Sequence, residues 1–261
     1  MKNLRKYGAP PRNIAVIHGG PGAPGEMAPV ARELASIRGV LEPLQTAPTI
    51  EGQIRELRDI LETNGDFPQI VIGWSWGAWL SFVFASRYSS LVERIILIGS
   101  GPFEERYARN IMQTRLSRMN EKETSEVLLL IKILDDPTLS NKNEAMKRFG
   151  KIISKADSYD PIPHKSELLK CQYDIYHNVW EQAALMRSSG RLLRFGRKIK
   201  CPVVAIHGDY DPHPYQGVKN SLSRVLKDFR FILLEKCGHQ PWIEKYAKDK
   251  FFNILRNEIG A

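Results

Sequence analysis

Short apolar runs alternate with amphipathic stretches through the first part of the chain. Residues 14–18 are strand formers that run into glycines, and residues 40–44 form a second, weaker run. Between residues 50 and 62 the apolar positions Ile50, Ile54, Leu57, Ile60 and Leu61 recur at helical spacing. Residues 69–73 predict a strand, 76–88 a helix rich in aromatic and small residues, and 94–99 a buried strand. Strands alternating with helices imply βαβ units and a parallel sheet covered on both faces.

The pattern changes at Gly101-Pro102. From Phe103 to about Gly190 the periodicity is helical, and Pro137, Pro161 and Pro163 break it into pieces. Apolar runs at 203–207 and 231–234 resume the sheet, and 241–259 reads as a closing amphipathic helix. The expected fold class is α/β, a mostly parallel sheet of about six strands with an inserted helical cap. Residues 1–102 and 191–261 make the sheet domain, and 103–190 the cap.

The 261 residues, 43% of them apolar, suffice for a sizeable core. No stretch approaches the roughly 18 apolar residues of a membrane span. Residues 1–12 are polar and basic and carry no signal-peptide core, so a cytoplasmic protein without a membrane partner is expected. The three cysteines, Cys171, Cys201 and Cys237, are odd in number and lack Cys-x-x-Cys spacing. Free thiols follow, with Cys201 and Cys237 expected to be buried beside apolar runs. The net charge of +9 is spread along the chain without a nucleic-acid motif, which argues against a nucleic-acid partner. Its densest cluster, Arg191, Arg194, Arg197, Lys198 and Lys200, reads as a solvated surface or as a basic rim near a substrate entrance.

The strongest chemical signal is Gly73-Trp74-Ser75-Trp76-Gly77, a G-x-S-x-G placed where a predicted strand meets a predicted helix. A serine on such a turn is held strained and exposed, and the helix N-terminus favours developing negative charge. A serine hydroxyl needs a base to take its proton. Of six histidines, His239 follows the last predicted strand and can reach the C-terminal edge of the sheet. The imidazole needs a carboxylate, and Asp209 and Asp211 follow the penultimate strand. Asp211 lies farther into the loop and is the better candidate, whereas Asp209 is placed to bond turn amides. Glu104 and Glu105, at the start of the cap, are weaker candidates. Oxyanion donors are expected from the N–H of Trp76 and from His18-Gly19-Gly20-Pro21-Gly22, with Gly20 preferred over Gly19. The alternation of His207, Asp209, Asp211 and His213 raises a metal-site alternative, but Gly208 and Pro212 interrupt an extended face. No metal and no cofactor are expected.

In this order of motifs the chain resembles the α/β-hydrolase superfamily over nearly its whole length. HGGPG together with a serine followed by Trp-Gly is similar to the proline iminopeptidase branch. The resemblance implies Ser75, Asp211 and His239 as a triad, with Trp76 and Gly20 as oxyanion donors. The branch's acid lies three residues after the glycine ending its strand, which the spacing Gly208 to Asp211 matches. Its cap carries a Trp-Glu pair that binds a substrate amine, and Trp180-Glu181 is similar. It also begins with an antiparallel strand pair, which the short segment before Ile14 is expected to lack.

The expected activity is cleavage of a small ester or amide through an acyl-enzyme. The alternatives are an aminopeptidase of iminopeptidase type acting on a short peptide, an acyltransferase, and a non-catalytic binding protein on the same fold. Tyr173, Tyr176, Trp180 and Ala184 share one helix face. That stripe either packs the cap onto the sheet domain or roofs the substrate pocket, with Tyr176, Trp180 and Glu181 as substrate-binding candidates. The sequence leaves the oligomeric state open.

Overall fold

Apolar runs buried on both faces build the sheet in the computed structural model, which describes residues 3–260. Its strands are β1 (Leu4–Tyr7), β2 (Ile14–Ile17), β3 (Val40–Pro43), β4 (Gln69–Trp74), β5 (Val92–Ile98), β6 (Val203–Gly208) and β7 (Phe229–Leu234). They lie in the order β1-β3-β2-β4-β5-β6-β7. All neighbours pair in parallel except β1, which runs antiparallel to β3. The sheet therefore has seven strands rather than about six, and an N-terminal strand is present. Its sequence, Leu4-Arg5-Lys6-Tyr7, has no apolar run because it lies at the edge, where charged side chains are tolerated.

The helices are α1 (Ala28–Leu34), α2 (Ile50–Asn64), α3 (Trp76–Arg87), α4 (Ile111–Leu116), α5 (Glu121–Asp135), α6 (Asn143–Ala156), α7 (Tyr173–Ser188), α8 (Arg191–Arg194), α9 (Gln216–Leu222) and α10 (Lys248–Glu258). Strand residues alternate between two cores. Ile14, Val16, Ile70, Ile72, Ile96 and Ile98 pack with α1 and α10. Ala15, Ile17, Val71, Ile95 and Leu97 pack with α2 and α3. The connections that leave β2 and β4 thus turn to opposite faces. This switch opens a crevice at the C-terminal ends of those two neighbours, where open α/β sheets gather their functional groups.

Helices α4 to α6 share a small core of their own around Val127, Leu130 and Ile152. A capping box starts α5: Asn120 Oδ1 accepts the Glu123 N–H, and the Glu123 carboxylate accepts the Asn120 N–H. Helix α7 differs, because Val179, Ala183 and Met186 are buried in the core of the sheet domain. Beside them Trp180 stacks on Trp79 of α3, with ring centres 5.8 Å apart and planes 5° from parallel. Tyr176 continues the stack at 6.4 Å, and the Arg187 guanidinium lies 5.6 Å from the Trp79 ring centre.

The closing helix is shorter than its periodicity predicts. Pro241–Ile243 forms one tight turn, and α10 starts only at Lys248. The interruption follows from Glu244, which is fully buried and accepts the N–H groups of Tyr159, Asp160 and Gly238. Cys237 is buried as expected, but Cys201 is only half-buried. All five basic residues of the 191–200 cluster are exposed. No helix among the described residues is long and apolar enough to cross a membrane.

The stacked indoles predict that Trp180→Ala costs about 2 kcal/mol, less than a fully buried Trp because the ring is only partly enclosed. Urea unfolding measures this through the midpoint. Glu181→Gln, at an exposed position, should stay within about 0.5 kcal/mol of the wild type.

Candidate active site

Strand β4 ends at Trp74 and α3 begins at Trp76, which leaves Ser75 at the junction with φ 54° and ψ −115°. A side chain pays a steric cost in that region, so the surrounding structure must hold it there. The Ser75 N–H donates to the Ile98 carbonyl at 2.9 Å, and the Ser75 carbonyl accepts from Ala78 N–H at 3.1 Å. Gly77 lets α3 cross the end of β2, since a methyl group there would run into the Ile17 carbonyl oxygen. Ser75 stays partly exposed while both its neighbours are buried. The Trp76 indole donates to Gln53 Oε1 at 2.9 Å. Its backbone N–H lies in the first turn of α3, where amides have no intrahelical acceptor.

The loops after β6 and β7 bring Asp211 and His239 together. His239 Nδ1 donates to Asp211 Oδ2 at 2.7 Å, and both residues are buried. The other oxygen, Oδ1, accepts the His213 ring Nδ1–H at 2.7 Å and the His213 backbone N–H at 2.9 Å. His207 Nε2 lies 3.5 Å from Oδ2 and donates to the His213 carbonyl at 2.8 Å. Burial alone would push the Asp211 carboxyl up, but the facing imidazoles of His239, His213 and His207 hold it well below the usual carboxylate range. Burial opposes charge on His239, yet the Asp211 carboxylate raises it above the ordinary imidazole value. Burial wins at His213, which is pushed down to about 4.

His239 is also tied to the turn at Ser75. Its carbonyl accepts the Trp74 indole N–H at 2.9 Å. Gly99, at the end of β5 with φ 48°, leaves room for it: a Cβ there would lie 3.1 Å from His239 Nδ1. The His239 N–H donates to the Asp157 carbonyl at 2.9 Å. The Asp157 side chain is held bidentately by Arg115, at 2.8 and 2.7 Å. A buried ion pair of the cap therefore fixes the backbone of this histidine.

The loop after β2 closes the other side of the crevice. A Cβ on Gly19 would lie 3.0 Å from Ser75 Cβ, and Gly20 turns with φ 53°. The chain leading to α7 clamps this loop: Leu169 N–H donates to the Pro24 carbonyl at 3.0 Å and Gln172 N–H to the Gly22 carbonyl at 2.8 Å. His18 donates through Nδ1 to the Gly19 carbonyl at 2.7 Å, and burial pushes it down to about 4.

Asp211 and His239 thus pair, the Trp74 indole ties them to the turn at Ser75, and Gly19 approaches that serine from the loop after β2. Asp209 does not reach His239, because its Oδ1 accepts the Cys237 N–H at 3.1 Å. Glu104 bonds Ser221 and Arg224, and Glu105 bonds Arg187. Tyr176 and Trp180 are half-buried in the aromatic stack, while Glu181 is exposed. Asp211, His213 and His239 offer possible ligand atoms within 4.8 Å of one another. Those atoms already pair in N–H···carboxylate bonds, and Asp209 lies outside the group. Sequence reasoning missed Arg115, Asp157 and Glu244, which carry no local signal, and treated His213 only as a metal-ligand alternative.

The model of the α/β-hydrolase fold family matches residues 42–246. No curated protein matches the chain in sequence. Among solved structures, VinJ is 15% identical, with 98% of this chain and 93% of its own covered at a TM-score of 0.67. The enol-lactonase from Burkholderia xenovorans LB400 is 17% identical over 99% of this chain and 96% of its own, at a TM-score of 0.63. A structure from a study of carboxylesterases of Nitrososphaera gargenis is 18% identical over 98% and 93%, at a TM-score of 0.63.

The buried histidines generate a titration prediction. In histidine-labelled protein, NMR should find His239 protonating above the ordinary histidine value, and His18 and His213 only near pH 4. Between pH 6.5 and about 4 the unfolded chain binds protons at residues 18 and 213 that the folded chain refuses. Their contribution to stability therefore falls as pH falls through that window. Urea midpoints of His18→Asn should depend on pH less steeply there than those of the wild type.

Proposed function

We propose, from the premise that this chain belongs to the α/β-hydrolase fold family, that it is a serine hydrolase cleaving a small ester or amide. The observation that carries the reading is the buried Asp211–His239 pair, bonded through the His239 carbonyl to the indole of Trp74, the residue before a serine on a strained strand-to-helix turn. His239 Nε2 takes the Ser75 hydroxyl proton as Oγ attacks the carbonyl carbon. Asp211 fixes the tautomer with Nδ1–H and stabilises the imidazolium. The oxyanion accepts from the N–H groups of Trp76 and Gly20. The imidazolium then gives its proton to the leaving alcohol or amine, which leaves an acyl group on Ser75. Water, deprotonated by the same imidazole, releases the acid.

Half-buried Tyr176 and Trp180 supply apolar surface for the substrate. The exposed carboxylate of Glu181 gives amine recognition little shelter from water, so the ester or amide reading stands ahead of the aminopeptidase one.

A serine-directed phosphonate should label Ser75, and Ser75→Ala should abolish the adduct. An adduct mapped elsewhere overturns the assignment. Asp211→Asn should lower kcat by a factor on the order of 10² to 10⁴, and Asp209→Asn by far less. A panel of p-nitrophenyl esters and aminoacyl-naphthylamides measures both variants and decides between ester and free-amine substrates.

A further inference from the structure

We propose that His213 is a positioning residue for the base: its imidazole holds the Asp211 oxygen that His239 does not bond and so sets the proton affinity of His239. The inference rests on the reading of Asp211 and His239 given above, and it concerns a residue which that mechanism does not use.

The geometry separates His213 from an ordinary loop residue. Asp211 has two oxygens, and each accepts one imidazole Nδ1–H at 2.7 Å. The two rings face each other with centres 4.7 Å apart and planes tilted by 35°. His213 spends its backbone on the same task, since its N–H donates to Oδ1 and its carbonyl is held by His207. The loop is thereby locked with its second imidazole against the carboxylate. With Oδ1 occupied, His239 has only Oδ2 to bond, so its ring cannot slide to the other oxygen.

The chemical effect follows from carboxylate basicity. Every N–H donated to Asp211 spreads its charge and makes it a weaker partner for the imidazolium. A neutral donor on the second oxygen therefore limits how far Asp211 raises the base. Too strong a pairing would leave His239 protonated, and unable to accept the serine proton, at neutral pH. The titratable and charged groups around the ring pair are few. Asp211 and His207 come from the β6 end, and Asp209 is occupied with Cys237 N–H. Arg115 and Asp157 come from the cap and oppose each other as an ion pair. Burial drives His213 down to about 4, so its ring is neutral at neutral pH. It acts as a hydrogen-bond donor rather than as a charge.

Two variants test the role. His213→Asn keeps an N–H donor near the position of Nδ1, and His213→Leu removes it at similar bulk. The first readout is the His239 titration by NMR in the wild type and both variants, with the resonance assigned through His239→Gln. It needs no substrate, so it is independent of whether Ser75 is a nucleophile. His213→Leu should raise the His239 midpoint by about half to one pH unit, and His213→Asn should restore it. The second readout is the pH dependence of phosphonate labelling, whose acid limb should move upward by the same amount. A midpoint in His213→Leu within about 0.2 unit of the wild type overturns the proposal. Equal shifts in both variants overturn it as well, since they would trace the effect to packing. Absence of labelling in the wild type, with the NMR shift present, would remove the serine-hydrolase reading and leave the His213–Asp211–His239 coupling standing.

Discussion

A carboxylate taken out of water costs several kcal/mol unless donors replace its hydration. Asp211 is 7% exposed, and its donors come from two loops that would otherwise be independent. His239 reaches it from the end of β7 and His213 from its own loop after β6. Two further buried carboxylates extend the same logic outward. Glu244 gathers three backbone N–H groups from the cap end and the His239 loop. Asp157 takes the Arg115 fork while its carbonyl holds the His239 N–H. Glu244 is satisfied only when the His239 loop and the cap are in register, and the Asp157 carbonyl adds a backbone bond between the same two parts. The proposed acid–base pair is thus inseparable from the way the two parts of the molecule meet.

The sheet supplies the other half of the arrangement. Parallel strands bring all their C-terminal ends to one edge, and the reversal of direction between β2 and β4 parts the loops there. Ser75 stands on one side of the gap and Gly20 on the other. The strain at Ser75 is held by what surrounds it: the Ile98 carbonyl fixes its N–H, and close contact of α3 with β2 fixes the turn. The turn at Ser75 is therefore placed by the strand ends, whereas Gly20 is placed by the loop after β2 that the cap linker clamps.

What could be read in the sequence was whatever local order encodes. The strands at 14–18, 69–73, 94–99 and 203–207 are continuous apolar runs because both faces of the sheet are covered. Ser75 and His239 stood out as candidates because each sits at a junction between element types. Asp211 was separable from Asp209 by its distance from the strand end, and Asp209 does bond a turn amide, that of Cys237. Strand β1 was missed because an edge strand of Leu-Arg-Lys-Tyr needs no apolar run. The premature end of the helical turn at Ile243 was missed because Glu244 has its partners at 159, 160 and 238. Arg115–Asp157 escaped for the same reason, since an ion pair across 42 positions leaves no periodicity to detect.

The clamp between the cap linker and the loop after β2 has a pair of peptide-to-peptide bonds at its centre. Leu169 and Gln172 donate through their amides to the carbonyls of Pro24 and Gly22. Such bonds survive nearly any exchange of side chain, proline at residue 169 or 172 excepted. Side chains at 169 and 172 can therefore change while the Gly20 loop keeps its shape, because the peptide groups that hold it are common to every residue but proline.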